Sequence, residues 1–347
     1  MQPLRVAIAG ATGYAGEELV RLLRQHPSVS LTALAASAKR EQPVSFGKLF
    51  PRFAGLIDLP IVSLEPEALA HAADVVFLAL PHGVSMDVAP SLLDRGRKVV
   101  DLGGDFRLKD AVQFELWYGR THTRPDFLPR AAYGIPELFR AEIAKASFIA
   151  NPGCYATTVI LALAPLLKAD VIDLSWIAVD AKSGLTGAGR KAEPHLMFSE
   201  IDENMWPYRV GKHQHTPEIV QALSPFVRGR DVHLFFVPQV VPLNRGMLTN
   251  VYVTLTRPLT WEDADAIFRD FYREAPFVRV RPKETWPQVR DVQHTNFCDI
   301  AFAVDADSHH AVIFSAIDNL TKGAAGQAVQ NLNVMAGFPE TAGLLTC

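Results

Sequence analysis

Cysteine is scarce in this chain: Cys154, Cys298 and Cys347 are the only three among 347 residues. They are too few and too scattered for a disulfide scaffold or a four-thiolate zinc site, and they suit a reduced compartment. An excess of one charge sign is also lacking. Thirty-four Lys and Arg against 37 Asp and Glu leave a net charge of −3, so no basic excess points to nucleic acid or an anionic membrane. Long hydrophobic runs are missing too. The longest, Ala156 to Leu167, falls short of the roughly 20 residues that span a bilayer. The N-terminal run Val6–Ala9 breaks at Gly10, whereas a secretory signal needs about 7–15 apolar residues. Cys347 is last in the chain, which is no prenylation box. These absences lead to the expectation of a cytoplasmic protein with no membrane or nucleic-acid partner.

What is present is ordinary for a folded protein: 49% hydrophobic and 20% charged residues. At roughly 150 residues per domain the length predicts two domains. The first part alternates strand and helix patterns. Val6–Ala9, Leu31–Ala36, Asp74–Leu80 and Lys98–Leu102 read as continuous apolar strands. Glu17–Gln25 and Val88–Asp94 read as the helices between them. Such alternation implies a parallel sheet covered on both faces. Residues 105–150 read as irregular.

From about residue 171 the texture changes. Ile177–Ala181, Val232–Val241, Thr249–Thr256, Phe277–Val280 and Asp299–Val304 read as strands with fewer helices between them, an α+β pattern. A helix is predicted over Trp261–Arg273 with Thr260 as N-cap, and a last one from about Lys322 to Ala336.

The turn after the first strand is Gly10-Ala11-Thr12-Gly13-Tyr14-Ala15-Gly16. Glycine at every third position allows a tight turn and close approach of a pyrophosphate to a helix N-terminus. Its place between a strand and a helix supports a dinucleotide site. The second strand ends at Ala36, where an NAD enzyme usually carries Asp or Glu. Here Ser37-Ala38-Lys39-Arg40 follows, a hydroxyl and two cations that suit a 2′-phosphate. NADP is therefore predicted over NAD.

Asn151-Pro152-Gly153-Cys154 reads as a turn delivering Cys154 to the start of an apolar helix, Tyr155–Leu167. There the macrodipole and free N–H groups stabilise a thiolate and can hold an oxyanion. Among eleven histidines, His213-Gln214-His215-Thr216-Pro217-Glu218 stands out. Thr216 reads as a cap with Pro217 in the first turn. This leaves His215 as an acid–base partner for Cys154, with Glu218 to orient it. A metal reading of His-x-His lacks a third clustered ligand, so no metal is expected. His82 sits at the C-terminal edge of a parallel strand, where ligands bind. His309-His310 reads as a hairpin loop.

The motifs together resemble the N-acetyl-gamma-glutamyl-phosphate reductase family. The resemblance rests on residues 10–19, Leu-Pro-His-Gly at 80–83, Asp-Phe-Arg-Leu at 105–108 and Tyr-Gly-Ile-Pro-Glu at 133–137. It continues through 151–157, 182–190, 212–219 and 317–328, in the family's order and over nearly the whole chain. It implies an α/β fold: a Rossmann-type parallel-sheet nucleotide domain plus an α+β catalytic and dimerisation domain of the semialdehyde dehydrogenase type. The domains would be 1–150, completed by the C-terminal helix 318–347, and 151–317.

By the same resemblance Cys154 is the catalytic cysteine, His215 the acid–base histidine and Glu218 its orienting partner. Asn319 matches a residue close to the nicotinamide. Arg107, Asn151, Ser183, Arg190 and His213 are placed near an acyl-phosphate substrate. Gln214 departs from the family, which often has Arg there. The implied activity is NADP-dependent reduction of N-acetyl-glutamyl phosphate in arginine biosynthesis, by a homo-oligomer (dimer or tetramer). The competing readings are the related lysine- or aspartate-pathway reductases, a non-catalytic NADP-sensing regulator and a cysteine hydrolase.

Overall fold

A computed structural model describes residues 2–36 and 42–345. The chain forms two compact units. One runs to Pro152 and resumes at Ala324; the other is Gly153–Gly323. The sequence reading placed these divisions at 150 and 318.

The first unit is built on an eight-stranded sheet. Its strands are β1 (Leu4–Ala9), β2 (Val29–Ala36), β3 (Val44–Ser45), β4 (Pro60–Ser63), β5 (Val75–Leu78), β6 (Lys98–Asp101), β7 (Ala132–Tyr133) and β8 (Phe148–Ala150). The order is β3-β4-β2-β1-β5-β6-β8-β7, parallel except for β3 against β4. Read along β4-β2-β1-β5-β6-β8, it is the doubly wound order of dinucleotide-binding sheets. The reversal between β1 and β5 opens a crevice at their C-terminal ends. Val6–Ala9 and Val75–Leu78 are buried because both faces are covered, which is why they read as unbroken apolar runs.

Residues 105–150 are not irregular. Asp110 caps a helix over Ala111–Tyr118 by accepting the N–H of Val112 at 2.8 Å, and Gly119 ends it in the left-handed conformation. A second helix covers Pro136–Ile143, and β7 and β8 fall in the same stretch. The helix Gly326–Ala336 packs inside this unit and is buried along nearly its whole length. Its amides replace water as partners: Gln327 Nε2 and Asn331 Nδ2 both donate to the Gly134 carbonyl at 2.8 Å.

Asp101, at the end of β6, is fully buried between Ser85 Oγ and the Gly103 N–H. Burial, then the nearby Asp105 charge, raise its pKa from 3.8 to about 7. The folded chain therefore keeps a proton there that the unfolded chain releases near pH 4. The linkage makes stability fall as pH rises through about 4 to 7 and level off above. Asp101→Asn is expected to flatten that slope, checked by denaturant melts at pH 5 and pH 8.

The second unit holds a seven-stranded mixed sheet in the order β10-β11-β9-β12-β15-β14-β13. Its strands are β9 (Ile172–Ser183), β10 (Trp206–Pro207), β11 (Leu234–Val240), β12 (Met247–Leu255), β13 (Val278–Val280), β14 (Cys298–Asp305) and β15 (His310–Ile317). His310 thus opens a strand, and only His309 lies in the turn, with positive φ. The helices Cys154–Lys168, His215–Leu223 and Trp261–Phe271 pack on one face. There Phe236 meets Tyr155 and Phe302 stacks on Phe268. Thr260 and Asp263 form a reciprocal capping box at the start of the third helix.

Candidate active site

Cys154 is the first residue of its helix, and thirteen of the fifteen residues of that helix are buried. Gly153 precedes it in extended backbone and provides no side-chain cap. The positive end of the helix dipole therefore falls at Cys154, where it favours a thiolate. Cys154 itself is partly exposed, whereas Cys298 is buried against Ser315. Gly323 lies in a π-turn over Thr321–Ala325. A methyl group built on Gly323 would fall 2.8 Å from Cys154 Cβ, so the backbone there passes directly against the cysteine.

The expected acid–base residues, His215 and Glu218, meet on the same turn. Glu218 is fully buried. Its Oε1 accepts the N–H of Gly153 at 2.8 Å, and its Oε2 lies 4.0 Å from His215 Nε2. The His215 ring rests on Gly153: a methyl built there would sit 2.2 Å from Nε2. Glycine at 153 is thus required by the imidazole, and its N–H anchors the carboxylate. The helix begins at His215, one residue before the expected cap. Gln214 already has helical backbone angles, which puts Thr216 inside the first turn.

His213 is buried, and its Nδ1 accepts the N–H of His215 at 3.1 Å. Its ring packs edge-on against Tyr155, Tyr208, Phe236 and His215. It therefore sets the position of His215. Tyr208 donates to the Tyr155 hydroxyl at 3.4 Å, and Tyr155 donates to the Gln239 carbonyl at 3.0 Å. Burial raises both tyrosines, Tyr208 to about 12, and a Cys154 thiolate acts in the same direction. Tyr208 was missed in the sequence because no local spacing links it to the cysteine.

Ser183 ends β9 and is buried, while Gly187–Arg190 are exposed in the loop that follows. Asn319 is buried. Its Oδ1 accepts the Gly246 N–H at 2.7 Å and its Nδ2 donates to Thr186 Oγ1 at 3.0 Å.

In the first unit, Gly10 has φ +86°, and a methyl on it would fall 2.1 Å from the Ala79 carbonyl oxygen. A methyl on Gly16 would fall 2.2 Å from the Gly10 carbonyl oxygen. Thr12, Gly13, Tyr14 and Ala15 are partly exposed, and Gly13 leads into the Tyr14–Leu23 helix without a side-chain cap. These features fit a pyrophosphate cradle. Ser37, Ala38, Lys39 and Arg40 lie outside the described residues.

Arg107 and Asn151 are directed inward. Arg107 donates to the carbonyls of Asn151 and Leu102 at 2.9 and 2.8 Å. All four polar groups of Asn151 are engaged. Its N–H donates to Asp101, its carbonyl accepts from Arg107, its Oδ1 accepts from Asn331 and its Nδ2 donates to Ala324. Both residues hold the ends of β6 and β8. His82 Nδ1 accepts the Gly104 N–H at 3.2 Å.

Residues 5–146 match the semialdehyde dehydrogenase NAD binding domain, and residues 154–319 match the semialdehyde dehydrogenase dimerisation domain. An N-acetyl-gamma-glutamyl-phosphate reductase from Symbiobacterium thermophilum is 48% identical, over 99% of this chain and 97% of its own. One from Citrifermentans bemidjiense is 47% identical over 98% of both chains. The chain belongs to this reductase family.

The fold is shared with solved structures of low sequence identity. Aspartate semialdehyde dehydrogenase II from Vibrio cholerae superimposes with a TM-score of 0.74 at 20% identity, over 97% of this chain and 99% of that one. An aspartate semialdehyde dehydrogenase from Candida albicans, solved with NADP, gives 0.68 at 16% identity. The reductase-family chain thus pairs a nicotinamide-nucleotide unit with a dimerisation unit. Among the described residues, no cluster of His, Cys, Asp or Glu could hold a metal ion, and no helix is long and apolar enough to cross a membrane.

Proposed function

We propose that the chain reduces N-acetyl-glutamyl 5-phosphate to N-acetyl-glutamate 5-semialdehyde and phosphate, with NADPH, through a thioester on Cys154. The observation that carries this reading is Gly153, which joins the nucleophile's turn to both Glu218 and His215. His215 takes the Cys154 thiol proton, and the helix N-terminus steadies the thiolate. The sulfur attacks the acyl carbon, the carbon–oxygen bond to the phosphoryl group breaks, and phosphate leaves. When bound, the nicotinamide supplies the hydride that reduces the thioester. The carbon–sulfur bond then breaks, the aldehyde departs, and His215 returns the proton to sulfur. Glu218, buried beside the imidazole, orients the ring between these steps.

Arg190 and Ser183 are assigned to the acidic substrate. The Gly10–Gly16 loop takes the pyrophosphate, and Lys39 and Arg40 take the 2′-phosphate of NADP. Replacing both cations by glutamate is expected to lower the NADP-over-NAD preference in kcat/KM by roughly 10–100-fold, as loss of a charge-assisted hydrogen bond predicts. An unchanged ratio would remove these residues from the site.

The sheet face opposite the helices of the second unit carries exposed Trp176, Phe235 and Tyr252. This is the surface we assign to a second copy. The function is tested by NADP⁺- and phosphate-dependent oxidation of N-acetyl-glutamate 5-semialdehyde. Turnover confined to this substrate, and absent with aspartate 4-semialdehyde, is the expected result.

A further inference from the structure

The loop Gly184–Arg190 follows β9, and its far half, Gly187–Arg190, is exposed. Its root is tied to the turn between β11 and β12. Gly184 N–H donates to Gly246, Leu185 N–H to Leu243 and Thr186 N–H to Asn244, at 2.9, 2.8 and 3.2 Å. A methyl group on Gly184 would meet the Leu243 carbonyl oxygen at 2.8 Å, so the two segments touch through backbone. Thr186 Oγ1 donates to the Asn244 carbonyl at 2.7 Å and accepts from Asn319 Nδ2. The other end of the Asn319 carboxamide accepts from Gly246.

The neighbouring Asp318 is fully buried and holds the same turn. Its carboxylate pairs with Arg245 and accepts the N–H groups of His294, Leu320 and Thr321. Asp318 fixes Asn319, and Asn319 fixes both the turn and the loop.

We propose that Asn319 is a positioning residue: acting through Thr186, it holds the Gly184–Arg190 loop in the shape that receives the anionic substrate. This rests on the assignment of Arg190 to the acyl phosphate. Each end of the carboxamide makes a hydrogen bond that ties it to the loop and its turn, so Asn319 acts on the loop whatever its remaining N–H and lone pair meet. A misplaced loop weakens substrate capture while leaving the cysteine and its acid–base pair in place.

The test compares Thr186→Val, Thr186→Ser and Asn319→Ala in the full-length protein. Thr186→Val and Asn319→Ala are expected to raise KM for N-acetyl-glutamyl phosphate about tenfold, as loss of one or two hydrogen bonds predicts, and Thr186→Val is expected to keep kcat within about threefold. Thr186→Ser, which keeps the hydroxyl, is expected to restore KM. Alkylation of Cys154 by iodoacetamide is expected to keep its wild-type rate in all three. Amide hydrogen exchange over residues 185–189 is expected to quicken in Thr186→Val and Asn319→Ala only. Unchanged exchange in these two variants overturns the proposal, as does a loss confined to kcat and alkylation. If the wild-type protein does not turn over the acyl phosphate, the functional reading fails, and the exchange result still decides the loop anchor.

Discussion

Cys154→Ser is expected to abolish reduction of the acyl phosphate, by roughly 10⁴-fold or more, as removal of a covalent nucleophile does. Binding of NADPH, followed by the quenching of protein fluorescence, is expected to stay within about threefold. The size of the effect follows from the chemistry of the turn. An uncapped helix N-terminus lowers the cost of a thiolate, whereas it cannot bring a serine hydroxyl into its anionic form near neutral pH. Serine is also close in size, so the packing of Tyr155 and Gly323 around position 154 has no reason to change. The nucleotide loop, Gly10–Gly16, belongs to the other unit and is untouched by the substitution. Near-normal turnover by the variant would remove Cys154 from the reaction.

Gly153→Ala is the second large effect, although it deletes no reactive group. Its methyl would lie 2.2 Å from His215 Nε2, 2.5 Å from Cε1 and 2.7 Å from Cδ2. The imidazole has to leave, and its departure separates it from Glu218. The expected loss in kcat is about 10²–10⁴-fold, the usual worth of a placed general acid–base group. Overpacking is expected to destabilise the protein by about 1–3 kcal/mol as well. Kinetics and thermal melts separate the two effects, because a folded variant at assay temperature still lacks its acid–base pair. His215→Asn in the same assay is expected to match the kinetic loss without the drop in stability.

Much of this architecture is visible in the sequence where one residue type answers one physical need. The glycines at 10, 13 and 16 lie between an apolar strand and a helix, and Gly10 and Gly16 are each pressed against a carbonyl oxygen. Continuous burial on both faces made β1, β5 and β6 legible as parallel strands. The strands β7 and β8, of two and three residues, are too brief to show a period, so the 105–150 region read as irregular. The hairpin at His309-His310 was legible from its polarity, but β15 takes in His310 and leaves only His309 in the turn.

The site divides in the same way. Cys154, His215 and Glu218 are legible through turn and helix-start chemistry, and the structure brings Glu218 and His215 onto the turn of Gly153. Tyr208 and Gly323 reach the cysteine's surroundings only through long-range folding, which no local pattern announces. Arg107, Asn151 and Asn319 carry family motifs, and their polar groups are directed into hydrogen bonds within their own units. A motif therefore marks a residue as needed without saying whether it touches substrate or holds another residue in place.

The central claim is that the acyl group passes through sulfur at position 154. The direct measurement is to mix the protein with N-acetyl-glutamyl phosphate in the absence of NADPH, quench with acid and weigh the peptide containing Cys154. The account predicts one equivalent of released phosphate and a Cys154 peptide heavier by one N-acetyl-glutamyl group, both lost in Cys154→Ser. Full turnover on adding NADPH, with no acyl group ever found on Cys154, would contradict it.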